Sequence, residues 1–283
     1  MIYQFEKVKR DYSDLASGRV LYSKPGATAF PLRAASEIFQ HCFAHLRKDR
    51  HTIYDPCCGS AYYLTALGFL HFDRFERIIC SDIDEDALGH ARKNLDLLTI
   101  EGINRRMLEL ETLQRRFGKE SHREALESAQ RLKMSLQQQL RHRNIRADVF
   151  NADILQSNAV LELRAKQIDI VFADVPYGMK SQWWEQPHSG EEIWTLLDNI
   201  LSLKVPLGLV VIAASKHQRV EHDGYAKVER MKIGTRAITI LQPKSCITLR
   251  GRKENESTLP GSRRPFPSCR TRTGICSAQT QRC

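Results

Sequence analysis

Four times in this chain a short apolar run stops at or just before an aspartate. Ile53-Tyr54 precedes Asp55, Ile78-Ile79-Cys80-Ser81 precedes Asp82, Val149-Phe150 leads to Asp153, and Ile168 to Ala173 precedes Asp174. Runs this short, bounded by turn residues, read as buried strands. Helical periodicity fills the gaps: residues 36–46 carry Ile38, Phe39, Cys42, Phe43 and Leu46 on one stripe, and 61–70, 87–97 and 191–201 are further helices. The expected strands are 52–54, 77–81, 146–151, 169–173 and 207–213. Two more, 226–232 and 237–241, read as an antiparallel hairpin turning at Gly234. This alternation predicts an α/β fold on a doubly wound, mostly parallel sheet. In open sheets of that kind ligands bind at the carboxyl ends of the strands, where these aspartates fall.

One segment exceeds what the alternation needs. Residues 99–145 form a helical insert with a break near Gly118. Its Arg105, Arg106, Arg115, Arg116, Lys119 and Arg123 admit two readings: a solvated face interleaved with glutamates and packed on the sheet edge, or an arm that meets RNA phosphates. The net charge of +10 invites a polyanionic partner. Residues 244–283, however, hold nine basic against two acidic residues, so +7 lies there and only +3 is left for residues 1–243. Charge alone therefore does not establish nucleic-acid binding. The chain divides into a folded domain, 1–243, and a basic tail, 244–283, that lacks periodic apolar residues and is expected to be disordered.

Residues 1–7 contain no apolar stretch of the secretory kind. The longest apolar run, 205–214, is about half of the roughly 20 residues a membrane helix needs. A soluble, cytoplasmic protein is expected. The eight cysteines read as reduced thiols. Cys269, Cys276 and Cys283 have no histidine nearby and match no common zinc spacing, so no metal is expected.

The turn Asp55-Pro56-Cys57-Cys58-Gly59-Ser60-Ala61 joins a strand to a helix, and its glycine lets backbone approach a ligand closely. Ala61 stands where such turns usually have their last glycine. An acidic strand end repels a dinucleotide pyrophosphate, which argues against a dehydrogenase, and suits a cofactor bearing an ammonium and a sulfonium. Asp55, Cys57 and Gly59 are the candidates here, against the alternative that Asp55 caps the turn. Asp82 is placed to accept both hydroxyls of a ribose, with Asp84 behind it or simply capping the next helix. Asp153 is placed to accept from an adenine amino group, or to cap. Three acidic strand ends in succession are more specific than any one, and together they point to S-adenosylmethionine.

Asp174-Val175-Pro176-Tyr177 resembles the (Asn/Asp)-Pro-Pro-(Tyr/Phe) motif of methyltransferases that act on planar nitrogens. A nitrogen conjugated to a base is a poor nucleophile. The Asp174 carboxylate and the Val175 carbonyl can accept its N–H groups, Tyr177 can stack on the ring, and Pro176 fixes the turn. Val175 replaces the first proline of the motif and leaves the loop less rigid. Trp183 and Trp184 have the size to clamp a flipped base or to pack in the core, and Lys180 is a candidate phosphate contact. The competing reading of Asp174 and Tyr177 is a strand-end turn with a core tyrosine.

Through these loops the chain resembles the avilamycin-resistance ribosomal RNA methyltransferase family. The likeness also runs through Ser23-Lys24-Pro25-Gly26, Phe30-Pro31-Leu32-Arg33, Glu37-Ile38-Phe39, the helical insert and Gly178. It covers most of residues 1–243 and none of the tail. It implies a Rossmann-like, seven-stranded class I methyltransferase fold, and methylation of a guanine in large-subunit ribosomal RNA, at ring N1 or the exocyclic N2. It also implies resistance to a ribosome-targeting antibiotic. For N1, Asp174 would take the departing proton. Asp55, Gly59, Asp82 and Asp153 would hold the cofactor. Arg33 would meet RNA or the cofactor carboxylate, or serve a structural ion pair. Two other classes stay open: an amino-methyltransferase acting on DNA adenine or protein glutamine, and an RNA-binding protein on a degenerate methyltransferase scaffold.

Overall fold

The computed structural model describes residues 3–244, apart from 17, 24–28, 142, 158, 160–162, 164–166, 176–190, 204–206 and 234–235. Seven strands form one sheet: β1 (His51–Asp55), β2 (Phe75–Asp82), β3 (Arg146–Asn151), β4 (Ile168–Asp174), β5 (Leu207–Ser215), β6 (Tyr225–Ile233) and β7 (Arg236–Pro243). Their order is β3-β2-β1-β4-β5-β7-β6. The first five run parallel, and β7 lies antiparallel to both β5 and β6. This is the seven-stranded, Rossmann-like sheet expected. The order reverses between β1 and β4, which opens the crevice where such folds bind ligands.

Strand periodicity divides the core between the two faces of the sheet. Ile53, Ile78, Cys80, Ile170, Phe172, Leu209, Val211 and Ala213 pack on one side, under α1 (Leu32–His45), α2 (Tyr62–Leu70) and α3 (Glu85–Asp96). Tyr54, Ile79, Val171, Ala173, Val210, Ile212 and Ala214 face the other, under α6 (Glu192–Leu201). Burying a side chain of this size contributes about 1.5–3 kcal/mol. Central strands must therefore be apolar on both faces, and β1 is buried throughout.

Helix α1 starts four residues earlier than its apolar stripe suggests. Pro31 sits at its N-cap with φ −62°, a value the pyrrolidine ring imposes and a helix start accepts. The buried Glu37 carboxylate on its first turns accepts the N–H groups of Gln4, Phe5 (3.0 Å) and Glu6 (2.7 Å). Burial raises the Glu37 pKa, but these N–H groups outweigh it and the net shift is downward. The Glu6 carboxylate in turn accepts from Ser36 Oγ at 2.6 Å and Gln40 Nε2 at 2.8 Å. The residues before α1 are thereby fastened to it.

The insert is a helical hairpin, α4 (Ile100–Phe117) and α5 (Glu120–Gln139), broken where Gly118 takes φ +60°. It packs through Leu110, Ala125, Ala129, Leu132 and Leu136 against α2, α3 and the turn at Ser13–Leu15, rather than on the sheet edge. Its basic side chains are largely answered by carboxylates: Arg105 by Asp96, Arg106 by Glu109, Arg115 by Glu111, and Arg123 by Glu120 and Glu127. Arg116 lies over the ring of Phe117. The solvated-face reading is the one the structure favours. No helix of the described residues is long and apolar enough to cross a membrane. Gly234 and residues 245–283 of the tail lie outside the described residues.

Asp169 fills a gap in the sheet. The register of β1 against β2 shifts between His51 and Thr52, and the Thr52 N–H donates instead to Asp169 Oδ2 at 2.9 Å, while Lys48 Nζ pairs with Oδ1 at 2.8 Å. Replacing Asp169 with Ala leaves a buried N–H without an acceptor. The expected loss is about 2 kcal/mol, read as a lower urea midpoint at unchanged slope; an unchanged midpoint would show that the N–H finds water instead.

Candidate active site

The carboxyl ends of β1, β2 and β4 each close on an aspartate, and the three side chains converge at the crevice. Asp55 is fully buried. Its Oδ1 accepts the Cys57 N–H at 2.9 Å, and its Oδ2 accepts the hydroxyl of Tyr63 on the first turn of α2. Burial pushes the Asp55 pKa up to about 8; Tyr63 and Cys57 restrain the rise, and the charges of Asp82 and Asp174 add to it. The turn-capping alternative for Asp55 is thus met in part by the Cys57 bond. Tyr63 escaped sequence reading, although a helical side chain two residues past a turn leans back over it.

Asp82 joins two loops. Its Oδ2 accepts the Gly59 N–H at 2.7 Å and its Oδ1 the Asp84 N–H at 3.0 Å, and burial raises its pKa as well. Each carboxylate oxygen keeps a second lone pair for a ligand hydroxyl. Asp84 caps α3, accepting from the N–H groups of Asp86 and Ala87, which is the alternative reading given for it. Asp153 follows β3; its Oδ1 accepts the Leu155 N–H at 3.0 Å, again in the capping manner, while its charge reaches Cys57 in the loop after β1. The β3 loop is held to β2 by Ala152 N–H and Asn151 Nδ2, both donating to the Asp82 carbonyl at 3.1 Å.

The two departures from the expected motifs have structural answers. Ala61 adopts φ 51°, ψ 28°, the left-handed backbone that glycine would take without cost, so the turn keeps its shape. Val175 donates its N–H to the Ala213 carbonyl at 3.0 Å, a bond a proline cannot make, and this extends the β4–β5 ladder by one residue. That bond ties the first residue after β4 to β5.

Asp174 is largely buried, and its pKa is pushed up to about 6 by burial while Arg236 draws it down. Arg236 Nε stands 3.3 Å from Asp174 Oδ1 and Nη2 3.4 Å from Oδ2. Sequence reading missed Arg236, because its place at the start of β7, two strands away, follows only from the antiparallel return of that strand. Of the remaining candidates, Arg33 bonds to backbone ahead of α1 rather than to the three aspartates. It donates to the backbone carbonyls of Glu6 (2.7 Å) and Lys7 (3.3 Å) and sits 3.8 Å from the Tyr3 ring centroid, so its partners are carbonyls rather than the carboxylate of an ion pair. With Lys9, Arg10, Tyr12 and Tyr62 it lines a cleft of about 760 Å³. Pro176, Tyr177, Gly178, Lys180, Trp183 and Trp184 lie outside the described residues.

A sheet in this order, with acidic residues closing β1, β2 and β4 at one crevice, defines a class I methyltransferase fold. A family model described as rRNA methyltransferase AviRa matches residues 1–236. The chain is 38% identical, over 244 residues, to the 23S rRNA (guanine(2535)-N(1))-methyltransferase of Streptomyces viridochromogenes, covering 85% of this chain and 95% of that one. Two solved structures of rRNA methyltransferase aviRa from the same organism match with a TM-score of 0.75 and 36% identity, over 85% of this chain and 96% of theirs. The chain belongs to the rRNA methyltransferase AviRa family.

Gly59 has φ +54°, and a Cβ there would meet nothing within 4 Å. The cost of Gly59→Ala is therefore conformational alone, about 1 kcal/mol, and thermal unfolding should register it as a fall of a few degrees. A fall several times larger would mean that the loop contributes packing beyond the Gly59–Asp82 bond.

Proposed function

We propose that this protein transfers a methyl group from S-adenosylmethionine to N1 of a guanine in 23S ribosomal RNA. The observation that carries the reading is the convergence of Asp55, Asp82 and Asp174 at adjacent strand ends, close enough for Asp82 and Asp174 to raise the pKa of Asp55. Carboxylates crowded in this way favour a ligand that brings positive charge, and S-adenosylmethionine carries an ammonium and a sulfonium. The family relationship supports the substrate: the Streptomyces relative is named for guanine N1 in 23S rRNA. Ribosomes occupy the cytoplasm, so we propose that the enzyme works there, on ribosomal RNA or a ribosomal subunit.

In this reading Asp55 faces the cofactor ammonium, Asp82 accepts from the ribose hydroxyls, and the loop backbone at Cys57 and Gly59 closes against the ligand. Asp84 supports Asp82 by capping α3, and Asp153 accepts from the adenine amino group. The cofactor, when bound, supplies an electrophilic methyl on a cationic sulfur. Asp174 takes the proton that leaves N1, which puts the nitrogen lone pair in line for attack. Pro176 and Tyr177 shape the base site, and Lys180, Trp183 and Arg33, with Lys9 and Arg10 in the adjoining cleft, meet the RNA. Methylation of the ribosome is the route by which the family resemblance implies antibiotic resistance. The working unit is proposed to be residues 1–243, with the insert at 99–145 as part of its body.

Two measurements test this. In calorimetry with S-adenosylmethionine, Asp55 must ionise to meet the ammonium, so affinity should tighten by up to about tenfold from pH 6 to pH 7, below its raised pKa. Asp82→Asn, which keeps an acceptor for one of the two loop N–H groups, should weaken binding without unfolding the protein. No binding to folded protein would end the enzyme reading and leave the RNA-binding scaffold ahead. In the second, labelled methyl transfer to 23S rRNA, duplex DNA and a release factor is compared, and the modified nucleoside is identified by mass spectrometry. The expected product is 1-methylguanosine in 23S rRNA alone, at the same rate for a chain ending at Pro243; label in DNA or protein would replace this substrate with another.

A further inference from the structure

We propose that Arg236 is a positioning residue for the methyl transfer: it holds the Asp174 carboxylate ionised and fixed in orientation, ready to take the substrate proton. The inference rests on the reading of Asp174 as the base.

The geometry supplies the argument. Residues Asp174 and Ala213 are partners across β4 and β5, and Ser215 and Arg236 are partners across β5 and β7. Arg236 therefore starts its strand just beyond the end of β4, and its side chain reaches back across β5. Its Nη2 donates to Asp174 Oδ2 at 3.4 Å, and its Nε stands 3.3 Å from Oδ1 as an ion-pair contact rather than a hydrogen bond, so the guanidinium lies against both oxygens. Two-point approach fixes the plane of a carboxylate as well as its charge, which a lysine cannot do. The guanidinium is itself held, with its carbon 4.7 Å from the Phe30 ring centroid. Phe30 rests 5.6 Å from both Phe172 on β4 and Tyr63 on α2. The Arg236 side chain is only 11% exposed.

The arrangement matters because the other ionisable groups felt at this crevice would hinder an anionic base. Asp55 and Cys57 at the end of β1, and Tyr63 on α2, all sense the charge of Asp174, and none of them is a cation. Asp174 Oδ1 has no hydrogen-bond partner among the described residues, although Arg236 Nε lies beside it, so an acceptor site is left on a carboxylate whose charge is already balanced. The step is balanced as follows. Asp174 takes the N1 proton, the N1 electron pair forms the bond to the methyl carbon, and the carbon–sulfur bond breaks with its electrons going to sulfur. The products are 1-methylguanine, the neutral thioether and a protonated Asp174, which returns its proton to water. Burial already raises the Asp174 pKa and Arg236 opposes the rise, so removing Arg236 moves it further up.

Single-turnover methylation of 23S rRNA at saturating cofactor, followed from pH 5.5 to 9, tests the proposal on wild type, Arg236→Met and Arg236→Lys. Arg236→Met should move the acidic limb upward by about one pH unit or more, which is about tenfold in rate on that limb. At alkaline pH its rate should return to within a few-fold of wild type, with cofactor affinity unchanged. Arg236→Lys, retaining charge without the two-point fit, should keep the limb near wild type and lower the plateau. Arg236→Gln serves as the neutral variant should Arg236→Met fail to fold. For Arg236→Met or its neutral substitute, a rate that falls equally at every pH, with the limb unmoved, would overturn the positioning role and leave a structural ion pair. If wild type transfers no methyl at all, it is the functional reading that fails, and the two failures are told apart by that first curve.

Discussion

One buried and two half-buried aspartates at the carboxyl ends of three neighbouring strands impose the constraint to which the rest of this structure responds. A carboxylate removed from water resists ionisation, and each additional one nearby strengthens that resistance. The chain answers with directed donors. Asp55 has the Tyr63 hydroxyl and the Cys57 N–H, Asp82 has the N–H groups of Gly59 and Asp84, and Asp174 has the guanidinium of Arg236. The donors to Asp55 and Asp82 are neutral, so they stabilise the ionised carboxylates without cancelling their charge. A crevice in that condition is complementary to a cationic ligand, and one in which a base has its own counter-ion is suited to moving a proton. Both properties follow from which residues end which strands.

That much was legible in the sequence because strand ends are local. A short apolar run closed by an aspartate can be read without knowing the sheet order, and a ligand crevice at the strand ends follows from the α/β alternation. What required coordinates was longer in range. Arg236 reaches Asp174 only because β7 returns antiparallel between β5 and β6, and no spacing in the sequence encodes a contact across 62 residues. Helix α1 was recognised by its apolar stripe, and its first turn was missed because Pro31 marks the start while Arg33 and Ser36 interrupt the stripe. Ala61 and Val175 looked like defects when compared with a motif. In the fold, one takes the left-handed backbone anyway and the other adds a ladder bond.

The insert shows how charge misleads when read along a line. Arg105 and Arg106 are adjacent in sequence but turn to Asp96 on α3 and to Glu109 with the carbonyls of Arg19 and Val20. Exposed pairs of this kind contribute little stability, about 0–1 kcal/mol each, but they remove the uncompensated charge that a polyanion would seek. The apolar stripes of α4 and α5 contribute more to stability by joining the same core as α1 and α2. The hairpin thereby buttresses the layer from which α2 and the loop after β1 are built.

The N-terminal residues complete the argument, because they connect that layer to the proposed base. Glu37 holds residues 4–6 on α1, and Arg33 is tied to the carbonyls of Glu6 and Lys7. Just ahead of α1, Phe30 is wedged among Phe172, Tyr63 and Arg236. Tyr63 bonds Asp55 and Arg236 pairs with Asp174, so one phenylalanine separates the two groups that set the state of the two carboxylates. Packed interiors transmit displacement rather than absorb it. A displacement of that one ring would therefore reach the Tyr63–Asp55 bond and the Arg236–Asp174 pair together, without touching either aspartate.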